Sequence, residues 1–312
     1  MRYQHTIASP ISCSGVGLHS GQPVTMTLLP APPDTGIVFV RKASGTSIRL
    51  GASIRNLVST ELCTAISSQG AQIKTIEHVL AALAGLEVDN AVIEIDSGEV
   101  PVLDGSSGPF VRLIRAAGIA SQKRAQAFLK ITQPIEVNDS GRRVVIEPSS
   151  TPRVTYTIAY NHPLIGQQAF DFEYSAVGFE REIADARTFG FLREVEALWA
   201  RGLGKGGSLD NTVVLSETGV MNQTGLRFQD EFVRHKVLDL IGDLALMGMP
   251  FIGHVKADRS GHALHTKLVA EIFRRPECWV MLSLDEHVGA AELPSHKPFH
   301  SSASVASVAS AA

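Results

Sequence analysis

Residues 232–247 read FVRHKVLDLIGDLALM. Wound at 100° per residue, they form a helix that is apolar around most of its circumference. Val233, Val237, Leu238, Leu240, Ile241, Leu244 and Ala245 supply that surface, while His235, Lys236, Asp239 and Asp243 share one stripe about 100° wide. Such a helix belongs in a protein interior, and buried charges need partners or a metal. His235 and Asp239 stand at i and i+4, one above the other, so both reach one ion. Neutral imidazole and carboxylate suit zinc. Taken alone, the helix also fits a plain His–Asp pair on a solvated seam.

Two further segments carry chemistry. In TIEHVLAALA, residues 75–84, Ile76, Val79, Leu80 and Leu83 make the core stripe of a second helix. His78 points to the other side, beside the small residues Ala81 and Ala82, and Glu77 places a carboxylate next to it. In zinc hydrolases a carboxylate that is not a ligand takes the proton from the attacking water. The loop DRSGH, 258–262, then opens a helix at His262. The positive end of a helix dipole disfavours a charged imidazole, and a nearby carboxylate would restore the charge; Asp243 is the natural candidate. Each segment alone fits a structural histidine better.

The strands repeat one plan. Residues 24–29 (VTMTLL) and 36–41 (GIVFVR) flank a proline-rich turn, and 143–147 (RVVIE) and 154–159 (VTYTIA) flank another. Each pair is followed by a helix that stops at a glycine, over 75–84 before Gly85 and 231–247 before Gly248, and then by a strand, at 91–95 and 251–257. The expected class is α+β, two similar domains each with a sheet packed against helices. The join is expected near 117–127. Domain I spans 1–122 and supplies Glu77 and His78. Domain II spans 128–290 and supplies His235, Asp239 and His262. Residues 301–312, only Ser, Ala and Val, read as a disordered tail.

Net charge of -3 and a pI near 6.4 exclude the basic footprint of a nucleic-acid binder. Three cysteines, Cys13, Cys63 and Cys278, with no CxxC pair, argue against a disulfide framework and for a reducing compartment, the cytoplasm. No secretory leader and no apolar run near the roughly 20 residues of a bilayer span are visible.

The pieces together resemble the UDP-3-O-acyl-N-acetylglucosamine deacetylases, zinc enzymes of lipid A biosynthesis. The matching stretches are SGVGLHSG (14–21), STELCT (59–64), IKTIEHVLAALAGL (73–86), PVLDGSS (101–107), ARTFGF (186–191), RGLGKGGSLDN (201–211), GLRFQDEFVRHKVLDLIGDLALMG (225–248) and SGHALHTKLV (260–269). They occur in order over residues 1 to about 288. The resemblance implies that His78, His235 and Asp239 are the metal ligands and Glu77 the general base. It makes His262 the general acid or charged partner, oriented by Asp243. Lys236 lies near the substrate and Thr188 helps hold the oxyanion. Phe189, Phe191, Leu192, Val195, Leu209 and Leu18 belong to the surface for sugar and acyl chain, within an acyl passage over 189–209. The fold it implies is two similar α+β domains, each with a small insert, with the active site between them. The implied substrate is a small molecule, a UDP-linked acylated glucosamine, with no nucleic-acid partner. Zn²⁺ is the implied cofactor, and Fe²⁺ also suits a two-histidine, one-aspartate set.

By its residues alone, the passage is an amphipathic helix with a glycine-rich turn, which Lys205 interrupts. GxGKGG lacks the following GK[ST] of a P-loop. His19 and Cys63 lie in matching stretches and are read either as site-facing or as structural. Two other functions compete: a zinc amidohydrolase of a different acylated sugar or peptide, and a non-catalytic metal-binding protein. The second predicts loss of base or acid, yet Glu77 and His262 are both present.

Overall fold

The computed structural model describes residues 1–43 and 46–284. The tail expected at 301–312 and the end of the expected second domain lie outside the described residues. Six helices are described: α1 Glu77–Gly85, α2 Gly108–Ala117, α3 Ala176–Glu182, α4 Leu192–Ala200, α5 Glu231–Leu244 and α6 His262–Arg274. They accompany two five-stranded sheets and several smaller ones, so the α+β reading holds.

The two large sheets have one topology. In the first, hairpin Ile11–Val16/Pro23–Pro30 and hairpin Ile37–Ala43/Thr46–Gly51 flank a central strand, Ala91–Ile95. In the second, hairpins Ile135–Asp139/Arg142–Glu147 and Arg153–Tyr160/Gly166–Glu173 flank His254–Asp258. Each central strand runs antiparallel to one neighbour and parallel to the other. Period-two burial drives both: Val24, Met26 and Leu28 point inward on one sheet, and Val154, Tyr156 and Ile158 on the other. The strands on either side of each proline-rich turn are therefore not neighbours, because the late strand inserts between them. Proline has no N–H with which to close a tight hairpin, and the turn instead bridges a gap one strand wide.

Three local expectations are corrected. Gly85 does not lie beyond α1; it is the last helical residue, and a Cβ there would sit 2.3 Å from the Phe179 ring. The left-handed position falls to Glu87, with φ 58. At the other end, Thr75 has φ 57 and its hydroxyl bonds Glu99, so the helix begins at Glu77 rather than at 75. The strand expected at 251–257 is two strands. Phe251–Ile252 pairs with Phe128–Ile131, and His254–Asp258 joins the second large sheet. Gly253 makes the switch, since a Cβ would crowd Ile131 and the Glu147 carbonyl. The segment 117–127 contains a strand, Ile119–Ala125, that pairs back to Tyr3–Ile7. By contrast α5 ends as expected, in one 3₁₀ turn before Gly248 at φ 74.

Helix α2 packs on α1 and on the edge strand Ile11–Val16, while α5 and α6 cover the second sheet. α1 and α5 meet each other directly. They come close at Gly242, where a Cβ would lie 2.0 Å from the Glu77 carbonyl oxygen. Gly242→Ala should therefore lower stability by about 1–3 kcal/mol, the usual cost of overpacking. Chemical denaturation measures this, and a change below about 0.5 kcal/mol would show that the helices can part there freely.

Candidate metal centre

The α1–α5 crossing brings together groups far apart in sequence. His78 is the second residue of α1, and His235 and Asp239 lie on the buried face of α5. Asp239 Oδ1 stands 3.3 Å from a ring nitrogen (Nε2) of His235 and 3.6 Å from Nε2 of His78. The two rings meet edge to face with centroids 5.1 Å apart. Tetrahedral ligands about 2.0–2.1 Å from one ion lie about 3.3–3.4 Å from each other, so the spacing fits a common ion.

The donor chemistry fits as well. His235 Nδ1 is 3.0 Å from the Ala186 carbonyl, which can only accept a hydrogen bond, so Nδ1 carries the proton and the neutral ring keeps a lone pair on Nε2. Burial pushes the His235 imidazole down to about 3, helped by His78 and Lys236 against the pull of Asp239, so it is neutral. Burial opposes the Asp239 charge, but His235 when protonated, Lys236 and the hydrogen bond from His78 hold its carboxyl well below the ordinary range. Lys236 Nζ bonds Asp239 Oδ2 at 2.7 Å, which leaves Oδ1 for the histidine side. The Ala186 carbonyl is itself fixed. Arg187 next to it forms a buried ion pair with Glu231, whose carboxylate also takes the backbone N–H groups of Arg187 and Arg227.

Glu77 is buried and accepts the Thr64 backbone N–H at 3.0 Å. Burial raises its pKa, moderated by His262 and His78 and reinforced by Asp243 and Asp239. His262, the first residue of α6, presents Nδ1 to Asp243 Oδ2 at 2.7 Å. Burial opposes its charge, yet Asp243 overcomes this and lifts it to about 9. The same contacts outweigh burial at Asp243 and bring it to about 2. One carboxyl biased toward accepting a proton and one imidazolium thus border the ligand cluster.

Arg234 of α5 lies outside the polar stripe. It bonds Asp230 and the Glu182 carbonyl and stacks on Phe170 and Phe228. Phe189 packs edge-on against His235 and Phe232 and lies under Lys236. Thr188, just before it, is held through its backbone by Gly105 and Val213. The Phe189–Phe191 strand leads into α4, which has no buried residue. Leu192, Trp199 and Leu209 are exposed, Val195 is half-buried, and Phe191 is buried against His162. The glycine-rich bend docks on Leu18 and His19 through the N–H groups of Gly206 and Lys205.

His19 is buried in a turn whose backbone is tied to Glu99. It is one of the residues lining a cavity of about 760 Å³, with Lys74, Arg41 and Gly202. Burial and Glu77 raise the Cys63 thiol to about 12, which leaves it an inert core group. The sequence reading missed Thr64, whose hydroxyl bonds Asp243 Oδ1, and His265, which bonds Asp243 Oδ2 at 2.8 Å. The HALH spacing was a visible signal for His265; nothing in STELCT singles out Thr64.

Residues 4–274 match the family model of the UDP-3-O-acyl N-acetylglycosamine deacetylases. The chain is 45% identical over 295 residues to the UDP-3-O-acyl-N-acetylglucosamine deacetylase of Anaeromyxobacter sp. (strain Fw109-5), covering 95% of both chains. It is 44% identical to that of Syntrophus aciditrophicus, covering 91% of this chain and 90% of the relative. To that of Myxococcus xanthus it is 46% identical, covering 88% of both.

Proposed function

This chain belongs to the UDP-3-O-acyl N-acetylglycosamine deacetylase family, and on that premise we propose that His78, His235 and Asp239 hold zinc while Glu77 and His262 move the protons. The reaction is hydrolysis of the N-acetyl group of UDP-3-O-acyl-N-acetylglucosamine, a step of lipid A biosynthesis. The convergence of Asp239 Oδ1 with the two imidazoles, beside a carboxylate that is not a ligand, carries the residue assignment.

When bound, zinc polarises the acetyl carbonyl and makes water nucleophilic near neutral pH; iron(II) suits the same donors. Glu77 accepts the water's proton as its oxygen attacks the carbonyl carbon. The Thr188 hydroxyl donates to the oxygen on which negative charge develops. His262 gives its proton to the amide nitrogen as the C–N bond breaks, and acetate and the free amine leave. Asp243 keeps His262 charged until that moment. Lys236 holds Asp239 Oδ2 and flanks the sugar beside Phe189. Phe191, Leu192, Val195, Leu209 and Leu18 supply the apolar surface for the 3-O-acyl chain, consistent with the exposure of Leu192 and Leu209.

We assign two domains, expected at 1–122 and 128–290 and joined through the α1–α5 contact; the strand Ile119–Ala125, which pairs with Tyr3–Ile7, carries the end of the first to Ala125. No described helix is long and apolar enough to cross a membrane. The three free cysteines support the cytoplasm as the compartment.

The test is acetate release from the UDP-linked acylated sugar across pH, with bound metal quantified. Turnover requires charged His262, so the rate falls on the alkaline side. A nearby dication disfavours imidazolium, which puts that limb at or below the His262 value of about 9. No acetate release with one equivalent of zinc bound would sink the proposal. A rate still rising beyond about pH 10 would remove His262 as the acid.

A further inference from the structure

His265 lies one helical turn beyond His262, so both imidazoles leave α6 on one face. It is fully buried. Its Nδ1 meets Asp243 Oδ2 at 2.8 Å, the same oxygen that meets His262 Nδ1 at 2.7 Å. A carboxylate oxygen only accepts, so both Nδ1 atoms carry protons. Asp243 Oδ1 takes the Thr64 hydroxyl.

The other nitrogen of His265, Nε2, lies 2.9 Å from Ser260 Oγ and 3.1 Å from Tyr156 Oη. Tyr156 gives its proton to the Ser260 carbonyl at 2.9 Å. Ser260 Oγ also lies 2.8 Å from Tyr156 Oη, so its one proton is shared between that oxygen and Nε2. With Nδ1–H on Asp243, a neutral His265 presents Nε2 to this hydroxyl pair as an acceptor. Two imidazolium ions on one buried carboxylate would repel each other, and burial lowers the His265 pKa while His262 is raised.

We propose that His265 is a positioning residue for the proton donor. Its Nδ1–H fixes the rotation of the Asp243 carboxylate, so that Oδ2 holds His262 by Nδ1 and leaves Nε2 of His262 to meet the substrate amide. Thr64 anchors the opposite carboxylate oxygen, and Tyr156 with Ser260 fixes the ring of His265. The arrangement rests on His262 being the acid, as proposed above.

Three variants test it with the full-length, metal-loaded enzyme: His265→Leu, His265→Asn and His262→Ala. Leucine fills the space without a donor, whereas the asparagine amide places an N–H near the position of Nδ1. His265→Leu should lower kcat about tenfold or more, with KM and metal content within about twofold. His265→Asn should recover most of that loss. Unchanged kcat in the leucine variant, or equal loss in both, would overturn the positioning role and leave only packing. If the leucine variant does not fold, the asparagine variant decides: kcat within about threefold of wild type supports the donor, and a tenfold fall overturns it. His262→Ala separates the two layers. Wild-type turnover there overturns the acid assignment itself, whereas a large loss there with normal His265→Leu overturns the positioning role alone.

Discussion

Glu77→Gln leaves the metal in place and removes nearly all turnover. The amide has almost the shape of the carboxylate, and its oxygen still accepts the Thr64 N–H that Glu77 takes at 3.0 Å. Burial already disfavours the Glu77 charge, so a neutral group there costs the fold little. The variant cannot accept the water's proton. General-base catalysis contributes about 10²–10⁴-fold, and the loss should fall in that range. Acetate release together with elemental analysis measures both halves of the claim. Turnover within about threefold of wild type, with metal retained, would show that another group takes the proton.

His78→Ala has the second large effect, and it acts through the metal. If the proposed set is right, removing this imidazole leaves two protein ligands, both on α5, where a catalytic zinc centre needs three. Even partners that only orient ligands cost about 10–100-fold in affinity or activity when lost, so metal affinity should fall by more than about 100-fold. Turnover at limiting metal should fall in step. Dialysis followed by elemental analysis tests this, and an occupancy equal to wild type would strike His78 from the ligand set. The two variants are distinguishable: one keeps the metal and loses the chemistry, the other loses both.

Much of this site was legible because α5 is a local object. His235, Asp239 and Asp243 follow from a single periodicity, and all three are buried as a narrow polar stripe on an apolar helix requires. The start of α6 at His262 and the end of α5 before Gly248 were legible for the same reason. What escaped was non-local. The insertion of Ala91–Ile95 and His254–Asp258 between earlier hairpins depends on pairings that no short window contains. Gly85 looked like a helix stop, but its lack of a side chain serves Phe179, distant in the chain. Thr64 carries no signal of its own, because its role exists only once α1 and α5 have brought Asp243 to it. His265 was one step from being read, at i+3 from His262, but its meaning lies in the carboxylate they share.

The crossing at Gly242 has a thermodynamic consequence. Of the three ligands proposed above, one sits on α1 and two on α5, so an ion that bound all three would bind only when the helices are docked. Its binding free energy would then add to the docking of the two helices, about 2.7 kcal/mol when free metal exceeds Kd a hundredfold. Such an ion would act as a concentration-dependent clasp between the halves of the chain, and the resistance of the protein to unfolding would rise and fall with the supply of metal around it.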